Sequence, residues 1–522
     1  MLLLSGEDLS IEDVAAVARQ GARVAPLSDA VAARLRAGQD FVERSIQQDG
    51  AVVYGVNTGF GPLAQTRIAP EQAQTLSRNV ILACVSGVGA PLPRHVVRAM
   101  LLIRANTLAK GFSGVRPVVV QTLIDMLNAG VTPVVPGKGS LGASGDLAPL
   151  AHIAAVLTRG ENVDGDGFSG AAWYGDEIMS GAEAMARAGL ARIIPGAKEG
   201  LALTNGTTMM VGVGALAVHD AENLVRHAEV AAALSLEALR GVSAALHPAL
   251  HRANGQPGQI ATAARLRALL QGSRLIDSVP ERVQDAYSLR CTPQVLGPIR
   301  DTLAFVRARF TAALNAACDN PLIFLDLPNE PARVLSGGNF HGQGMAMWLD
   351  FLGIAVAEAG SIAERRIFRL LTPELSGGLP SMLVRTSGLD SGLMMPQYTA
   401  AALVSDNKTL AHPDSVDSIP SSANQEDHVS MGANAARHAM EILANVRNIL
   451  AIELLTASQA IDLLPDGPAR LGRGTSAAYA AIRQRVAFLE HDRQLSPDIE
   501  ALADLIGSGE LLADVLRAGV SM

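Results

Sequence analysis

The sequence predicts a mainly α-helical fold whose core is a bundle of long helices. Aromatic residues make up only 3% of the chain, and its many small side chains, alanine above all, favour close-packed helices over a β-sandwich. Three proline-free stretches also carry apolar residues three and four positions apart, as an amphipathic helix requires. They are residues 207–247, 342–372 and 421–464. A helix of about forty residues would be about 60 Å long, so it needs neighbours along its length, as in a bundle.

The first 200 residues are expected to form shorter helices separated by glycine-rich loops. Ser10 and Asp13 have the spacing of a capping box that opens a helix. Ser28 is expected to cap a second helix that runs toward Gln47. Glycines then cluster within residues 55–61, which predicts a long loop.

Residues 160–181 begin and end with glycine and contain four more, which predicts an exposed loop or hairpin. At 522 residues the chain is long enough for more than one domain. We predict a smaller, loop-rich N-terminal domain over residues 1–205. Residues 206–522 are expected to hold the long-helix bundle and the C-terminal helices.

Composition narrows the class of protein. A net charge of −8 argues against a nucleic-acid binder, which usually has a basic face. The cysteines, Cys84, Cys291 and Cys318, match no disulfide framework and no zinc spacing, so we expect a reducing, cytoplasmic location. The apolar N-terminal run is too short for a signal-peptide core. Residues 200–218 carry no charge, but glycines, threonines and an asparagine indicate a buried helix rather than a membrane span.

The densest motif is a glycine-rich segment at residues 136–149, Pro-Gly-Lys-Gly-Ser-Leu-Gly-Ala-Ser-Gly-Asp-Leu-Ala-Pro. Its glycines match G-x-G-x-x-G, which in a dehydrogenase follows a strand and binds a pyrophosphate. Pro133 and Pro136 argue against that strand, and Asp146 would repel the phosphates. On composition alone, the segment indicates a turn that leads into a helix capped by Ser144 or Asp146.

This segment and several others together resemble the aromatic amino-acid ammonia-lyases, most closely the histidine ammonia-lyases. The resemblance runs in family order from about residue 50 to about residue 435. The glycine-rich segment matches the family's Gly-Ser-Leu-Gly-Ala-Ser-Gly-Asp-Leu-Ala-Pro-Leu. The other matching blocks are Tyr54-Gly-Val-Asn-Thr-Gly-Phe-Gly61 and residues 198–207, 284–291, 319–322, 336–341, 407–408, 411–413 and 423–431.

The resemblance implies an electrophilic prosthetic group made from the backbone of the N-terminal domain. In the family, the tripeptide that corresponds to Ala143-Ser144-Gly145 cyclises with loss of two waters to a methylidene-imidazolone. No external cofactor is expected. Such a group is needed because natural side chains are nucleophiles, acids or bases rather than electrophiles. Glycine at the attacking nitrogen gives the least hindered approach.

The resemblance also implies roles for individual residues. Tyr54 would be the base that removes the β-proton. Arg290 would bind the substrate carboxylate through its guanidinium fork, and Asn205 and Tyr287 would complete the polar contacts. Glu426 matches the glutamate of histidine lyases and could accept an imidazole N–H. The predicted catalytic set is therefore Tyr54, Ala143, Ser144, Gly145, Asn205, Tyr287, Arg290 and Glu426.

The residues expected to contact the substrate do not all favour the same substrate. The set is Ala83, Cys84, Gln284, Phe340, Met394 and Gln425. Met394 and Glu426 favour histidine. Cys84, however, stands where histidine lyases usually carry a histidine, and with Ala83 it could enlarge the pocket for a modified or bulkier aromatic amino acid. Histidine is the best single prediction, and another aromatic substrate is the alternative.

Other functions stay open at this level. A 2,3-aminomutase would use the same prosthetic group but return the amine to the β-carbon. A non-enzymatic relative is disfavoured because the catalytic set is complete. His247 and His251 have helical spacing, but Pro248 lies between them and no third ligand follows, so we predict no metal site. The resemblance implies a homotetramer with shared active sites and a small-molecule substrate. The composition predicts no nucleic-acid or membrane partner.

Overall fold

The computed structural model describes residues 1–47, 53–161, 167–327 and 333–521, and within them the chain is mostly helical. The predicted mainly α fold with long helices is confirmed. In chain order the helices are α1 (Ile11–Gln20), α2 (Asp29–Gln47), α3 (Ala73–Cys84), α4 (Arg94–Ala109), α5 (Pro117–Ala129), α6 (Leu147–Leu157), α7 (Gly181–Arg187), α8 (Glu199–Thr204), α9 (Thr208–Ala238), α10 (Pro248–Asn254), α11 (Pro257–Leu269), α12 (Tyr287–Arg290), α13 (Thr292–Leu314), α14 (Gln343–Leu371), α15 (Pro373–Ser376), α16 (Met394–Leu410), α17 (Gly432–Asp462), α18 (Arg473–Arg485), α19 (Ser496–Ser508) and α20 (Glu510–Arg517).

The strands are short and antiparallel. They are β1 (Val88–Pro91), β2 (Thr132–Pro133), β3 (Pro136–Lys138), β4 (Ala171–Tyr174), β5 (Glu177–Ser180), β6 (Leu322–Ile323) and β7 (Val334–Leu335). β1 pairs with β3, β2 with β4 and β4 with β5, and β6 pairs with β7. The expectation that Pro133 and Pro136 exclude a strand at the start of the glycine-rich segment was wrong, because they lie in the short strands β2 and β3. However, β3 belongs to an antiparallel pair rather than to the parallel sheet of a dinucleotide-binding fold.

The chain divides into two compact units. Unit 1 comprises Met1–His219, Arg307–Asp350 and Pro413–Arg437, and unit 2 comprises Asp220–Val306, Phe351–His412 and His438–Met522. The predicted domain boundary near residue 205 falls between α8 and α9. The division into residues 1–205 and 206–522 stays a prediction.

Local sequence signals account for the ends of several helices. The Ser10 hydroxyl accepts the Asp13 N–H, and the Asp13 carboxylate accepts the Ser10 N–H, which completes the predicted capping box of α1. Ser28 accepts the Val31 N–H at the start of α2. The predicted hairpin is β4–β5, although residues 162–166 of that segment lie outside the described residues.

The proline-free stretches form the longest helices. α9, α14 and α17 contain 31, 29 and 31 residues. Every residue from 200 to 218 is buried, as expected for a core helix, although a break between α8 and α9 interrupts this stretch. α14 is long and apolar enough to cross a membrane by length and composition, and half of its most apolar window is buried in the structure. A core helix meets the same criterion.

Candidate active site

The predicted reactive tripeptide, Ala143–Gly145, lies in a loop of unit 1 between β3 and α6. The loop is held by backbone contacts to two distant segments. The Gly342 N–H donates to the Gly142 carbonyl at 3.1 Å, and the Met431 N–H donates to the Leu141 carbonyl at 2.8 Å. The segment that precedes the tripeptide is therefore bound to two parts of the chain that are distant in sequence.

Two glycines allow this tight conformation. Gly142 and Gly145 have φ values of 69° and 74°, in the left-handed region that glycine tolerates best. A Cβ on Gly145 would lie 2.2 Å from the Gly206 carbonyl oxygen. A Cβ on Gly142 would lie 2.1 Å from the Ser430 hydroxyl. No side chain fits at either position without displacing the loop.

Ser144 is hydrogen-bonded through both its carbonyl and its hydroxyl. Its carbonyl oxygen accepts the Asn205 side-chain Nδ2–H at 2.8 Å and the Gly206 N–H at 3.3 Å. Its hydroxyl donates to Oε1 of Glu426 at 2.8 Å. Two other predicted catalytic residues, Asn205 and Glu426, therefore contact Ser144 directly. The buried Oδ1 of Asn205 has no hydrogen-bond partner in the structure, so it remains able to accept a further donor.

Glu426 is fixed by hydroxyl donors rather than by a cation. Ser421 and Ser422 donate to its Oε2 at 2.8 Å and 3.0 Å, while Oε1 receives Ser144. Ser422, Ala423 and Asn424 all have positive φ values. This compact turn aims the carboxylate at the tripeptide, where an anionic acceptor can bind a donor group of a substrate.

Cys84, at the end of α3, is half-buried, and Ala83 is exposed. Burial, and secondarily the negative charge of Glu426, raise the pKa of the Cys84 thiol to about 11. The thiol therefore lies within electrostatic range of the Glu426 carboxylate. At neutral pH, Cys84 is therefore a neutral, weakly polar group beside Glu426.

Tyr54 lies in the predicted glycine-rich loop. Its hydroxyl oxygen accepts the Gly61 N–H at 3.2 Å, and its ring packs edge-on against Phe60. The adjoining turn, Gly61–Leu63, packs against the turn Ser422–Asn424 that precedes Glu426. The two loops that carry Tyr54 and Glu426 thus adjoin within unit 1.

Of the two predicted caps, Ser144 and Asp146, it is Asp146 that occupies the N-cap position of α6, but its side chain makes no capping hydrogen bond there. Its Oδ2 instead accepts the N–H groups of Met209 and Met210, at 2.8 and 3.0 Å, in the first turn of α9. Burial raises the pKa of Asp146 to about 7, against the opposing effects of these N–H donors, Ser140 and Arg104. The carboxyl group therefore joins the tripeptide loop to the start of the long helix.

The remaining predicted residues of unit 1, Phe340 and Gln425, lie on the two segments whose Gly342 and Met431 bind the tripeptide loop. Phe340 is half-buried and precedes Gly342, whose N–H binds the tripeptide loop. Gln425 is exposed beside Glu426. His341 stacks on His428 with ring centroids 5.5 Å apart, and its Nε2 lies 3.0 Å from the His428 carbonyl oxygen. These contacts join the two loops to each other.

Unit 2 carries the other four predicted residues. Tyr287 and Arg290 are the two ends of the short helix α12, and the guanidinium carbon lies 4.8 Å from the centre of the tyrosine ring. Tyr287 is 71% exposed, and among the described residues the buried Nε of Arg290 has no hydrogen-bond partner. Gln284 is exposed, and Met394 is half-buried at the start of α16.

Sequence reasoning missed several residues that hold the site. Ser421, Ser422 and Ser430 carry no distinctive sequence signal, because serine is common in loops. Arg104 could have been noticed, because it is a single charge in an apolar run of α4 whose neighbours are buried. Among the described residues, no group of three or more His, Cys, Asp or Glu could hold a metal ion.

Comparison with known proteins gives a consistent result. The family model for "Aromatic amino acid lyase" matches residues 9–484. The chain is 52% identical to histidine ammonia-lyase of Symbiobacterium thermophilum, over 98% of this chain and 97% of that protein. The structure resembles histidine ammonia-lyase from Trypanosoma cruzi, with a TM-score of 0.89 and 40% identity over 99% of this chain and 95% of that one. It also resembles tyrosine aminomutase from Streptomyces globisporus, with a TM-score of 0.91 and 37% identity over 99% and 98%.

Proposed function

Because the chain belongs to the aromatic amino acid lyase family and is a carbon–nitrogen lyase, we propose that it eliminates ammonia from L-histidine to give the arylacrylate. The observation that carries this proposal is the arrangement at Ser144. Its carbonyl is held by Asn205 and Gly206, and its hydroxyl is held by Glu426. The closely related histidine ammonia-lyases support histidine as the substrate.

We propose that Ala143, Ser144 and Gly145 form the methylidene-imidazolone autocatalytically. The residues fit this role, because the loop is tightly constrained and Gly145 leaves no space for a side chain against Gly206. The group would supply an electrophilic carbon to which the substrate amine can bond, which makes the amine a better leaving group. No external cofactor is needed for this chemistry.

Tyr54 is proposed as the base that removes the β-proton. An unperturbed tyrosine has a pKa of about 10, so its phenolate needs hydrogen-bond donors. The Gly61 N–H already donates to the Tyr54 oxygen and fixes the position of the hydroxyl. A loop rich in glycine brings such N–H groups close without steric hindrance.

Glu426 is proposed to recognise the substrate side chain. A carboxylate can accept an imidazole N–H, a contact that a phenyl or phenol ring does not offer at the same place. The serine hydroxyls on Oε2 keep this carboxylate oriented. Cys84, with Ala83, would line the same region and leave more space than a histidine would. Phe340, Met394 and Gln425 are proposed to complete the substrate contacts.

Arg290 is proposed to bind the substrate carboxylate through parallel N–H donors, with Gln284 and Tyr287 beside it. The stacking of the guanidinium on the Tyr287 ring would restrict its orientation. We also propose a homotetramer whose active sites draw residues from several subunits, in the cytoplasm. Dilution to a verified monomer should then abolish turnover, whereas an active monomer would contradict this assembly.

The decisive experiment is turnover of L-histidine, phenylalanine, tyrosine and methylated or hydroxylated analogues, with Ser144→Ala as the inactive control. Ammonia and an arylacrylate, followed by ultraviolet absorbance and mass spectrometry, are expected from histidine. Turnover of another member but not of histidine would keep the chemistry and transfer the preference to the substrate that fits Ala83 and Cys84. No product from any member would contradict the proposal.

A 2,3-aminomutase is the second candidate. The observation in its favour is the likeness to tyrosine aminomutase over nearly the whole chain. The two functions differ in their products, since a lyase releases the unsaturated acid and ammonia while a mutase yields a β-amino acid. Chromatography of the same reactions with a β-amino-acid standard separates them.

A further inference from the structure

The structure contains a buried arginine, Arg104, whose guanidinium contacts the residues that bind Ser144. Arg104, on α4, is fully buried with 0% exposure, and its neighbours on the helix are buried too. Within the part of the chain that the structure describes, no carboxylate lies within ion-pair distance of its guanidinium, and the carboxyl of Asp146 interacts with its charge only from farther away. Burying a charge without a paired carboxylate is unfavourable, so the hydrogen bonds that this guanidinium does make are informative.

Those hydrogen bonds converge on the residues that hold Ser144. Nη2 of Arg104 donates to the Asn205 carbonyl at 2.7 Å and also to the Ala202 carbonyl at the end of α8. A Cβ on Gly206 would lie 2.9 Å from Nη1, so the guanidinium packs against Gly206. The Cys318 sulfur also lies near the guanidinium, 3.9 Å from Nη1.

The Asn205 carbonyl and the Gly206 N–H are the two ends of one peptide group. The cation binds the carbonyl end, and the N–H end donates to the Ser144 carbonyl at 3.3 Å. A charge on the carbonyl of an amide polarises the group and strengthens hydrogen bonding by its N–H. The positive charge therefore acts on the Ser144 carbonyl oxygen through a single intervening peptide.

We propose that Arg104 is a positioning residue that polarises the Ser144 carbonyl through the Asn205–Gly206 peptide, an inference that rests on the proposed function. Dehydration of Ser144 breaks its Cα–H and Cβ–Oγ bonds, forms a Cα–Cβ double bond and releases water. The negative charge left when the Cα proton departs spreads onto the Ser144 carbonyl oxygen. Stronger donors at that oxygen lower the barrier, as in an oxyanion hole.

The charge is essential to this role. Glutamine at position 104 removes the charge, and because its side chain is two bonds shorter than that of arginine, it also loses the contacts that Nη2 makes with the two carbonyls. Lysine would keep the charge but not the planar fork. The comparison of Arg104→Lys with Arg104→Gln thus separates the electrostatic role from a merely structural one. Arg78→Gln is the matched control, because Arg78 is another buried arginine of unit 1 and donates instead to Thr158 and Phe168.

The test measures intact mass, the absorbance maximum of the mature protein, and kcat and KM on the preferred substrate. We expect Arg104→Gln to show incomplete two-water loss or a shifted absorbance maximum, and a kcat at least ~10-fold lower with KM changed less than ~3-fold. Arg104→Lys should recover most of each property. Arg78→Gln should match the wild-type absorbance and kcat even if its melting temperature falls.

Equal impairment of the Lys and Gln variants, or wild-type absorbance and kcat in Arg104→Gln, would overturn the role of the charge. If Arg104→Gln does not fold, Arg104→Lys decides: a wild-type absorbance maximum with kcat within ~3-fold supports the inference, and a ~10-fold loss contradicts it. A wild-type protein without two-water loss would overturn the proposed function itself, and this inference with it.

Discussion

Gly206→Ala tests whether the peptide between α8 and α9 controls the reactive loop. The new Cβ would lie 2.7 Å from the Cys318 sulfur, 2.9 Å from Nη1 of Arg104 and 3.1 Å from the Cys318 carbonyl. Both neighbours are buried, and one contact is to backbone, so the alanine rather than its surroundings must move. The φ of 132° at this position also disfavours any side chain.

The expected losses of stability and of kcat in Gly206→Ala follow from these contacts. Overpacking a buried site destabilises a protein by about 1–3 kcal/mol, and holding alanine at such a φ costs about 1–3 kcal/mol more. A free energy of unfolding of about 5–15 kcal/mol can absorb that loss. Moving residue 206 away from Arg104 and Cys318 disturbs the hydrogen bond from its N–H to Ser144, which is already 3.3 Å long. Loss of one such donor lowers kcat by about 100- to 1,000-fold.

The assay combines intact mass, chemical denaturation and kcat on the preferred substrate. Gly212→Ala is the matched control, because a Cβ there meets its nearest neighbours at 3.6 Å, an ordinary contact, within α9. We expect Gly212→Ala to keep wild-type activity and Gly206→Ala to fold with much lower kcat or incomplete two-water loss. A folded Gly206→Ala protein with wild-type mass loss and kcat would refute the reasoning.

Three further predictions concern neighbouring groups. Alkylation of Cys84 should accelerate as pH rises toward its pKa of about 11. Glu426→Gln should lower that pKa, because it removes a negative charge. If peptide mapping shows the same pH profile of Cys84 alkylation in the variant, the charge of Glu426 does not act on Cys84. In a Ser144→Ala background, stability should fall as pH rises from about 4 to about 7, because the folded pKa of Asp146 lies above its unfolded value and the folded state holds the proton more tightly. Urea denaturation should show Asp146→Asn gaining up to ~4 kcal/mol relative to its parent over that range, and no relative gain would argue against the raised pKa. Tyr54→Phe should lower kcat by ~100-fold or more while two-water loss and the denaturation midpoint change little, and a kcat within ~3-fold of wild type would exclude Tyr54 as the base.

Most of the fold could be predicted because helix periodicity is a local property. The proline-free stretches became α9, α14 and α17, and the predicted capping box forms at the start of α1. The helix ends were less predictable. Residues 421–431 share the proline-free stretch of α17 but form the loop that carries Glu426, with left-handed backbone at Ser422–Asn424.

The residue types of the candidate site could also be predicted from the sequence, but the hydrogen-bond partners of those residues could not. The sequence marked Ser144, Asn205 and Glu426 through resemblance to a family. It did not show that the Ser144 hydroxyl bonds a carboxylate 282 positions away. The sequence suggested that the Asp146 side chain caps α6, but in the structure its carboxylate accepts N–H groups at the start of α9. Either helix start offers unpaired N–H groups, so only the packing decides which one Asp146 meets.

The sequence by itself determined the helical class, the glycines that permit a tight loop, and the chemical groups available there, because these depend on neighbouring residues along the chain. Tertiary structure alone decided that Arg104 donates a hydrogen bond to the Asn205 carbonyl, although 101 positions separate them. It also decided that the charge of Glu426 acts on Cys84 and raises the pKa of its thiol. Contacts of this kind arise from packing between helices and loops that are distant in sequence, and no local period encodes them.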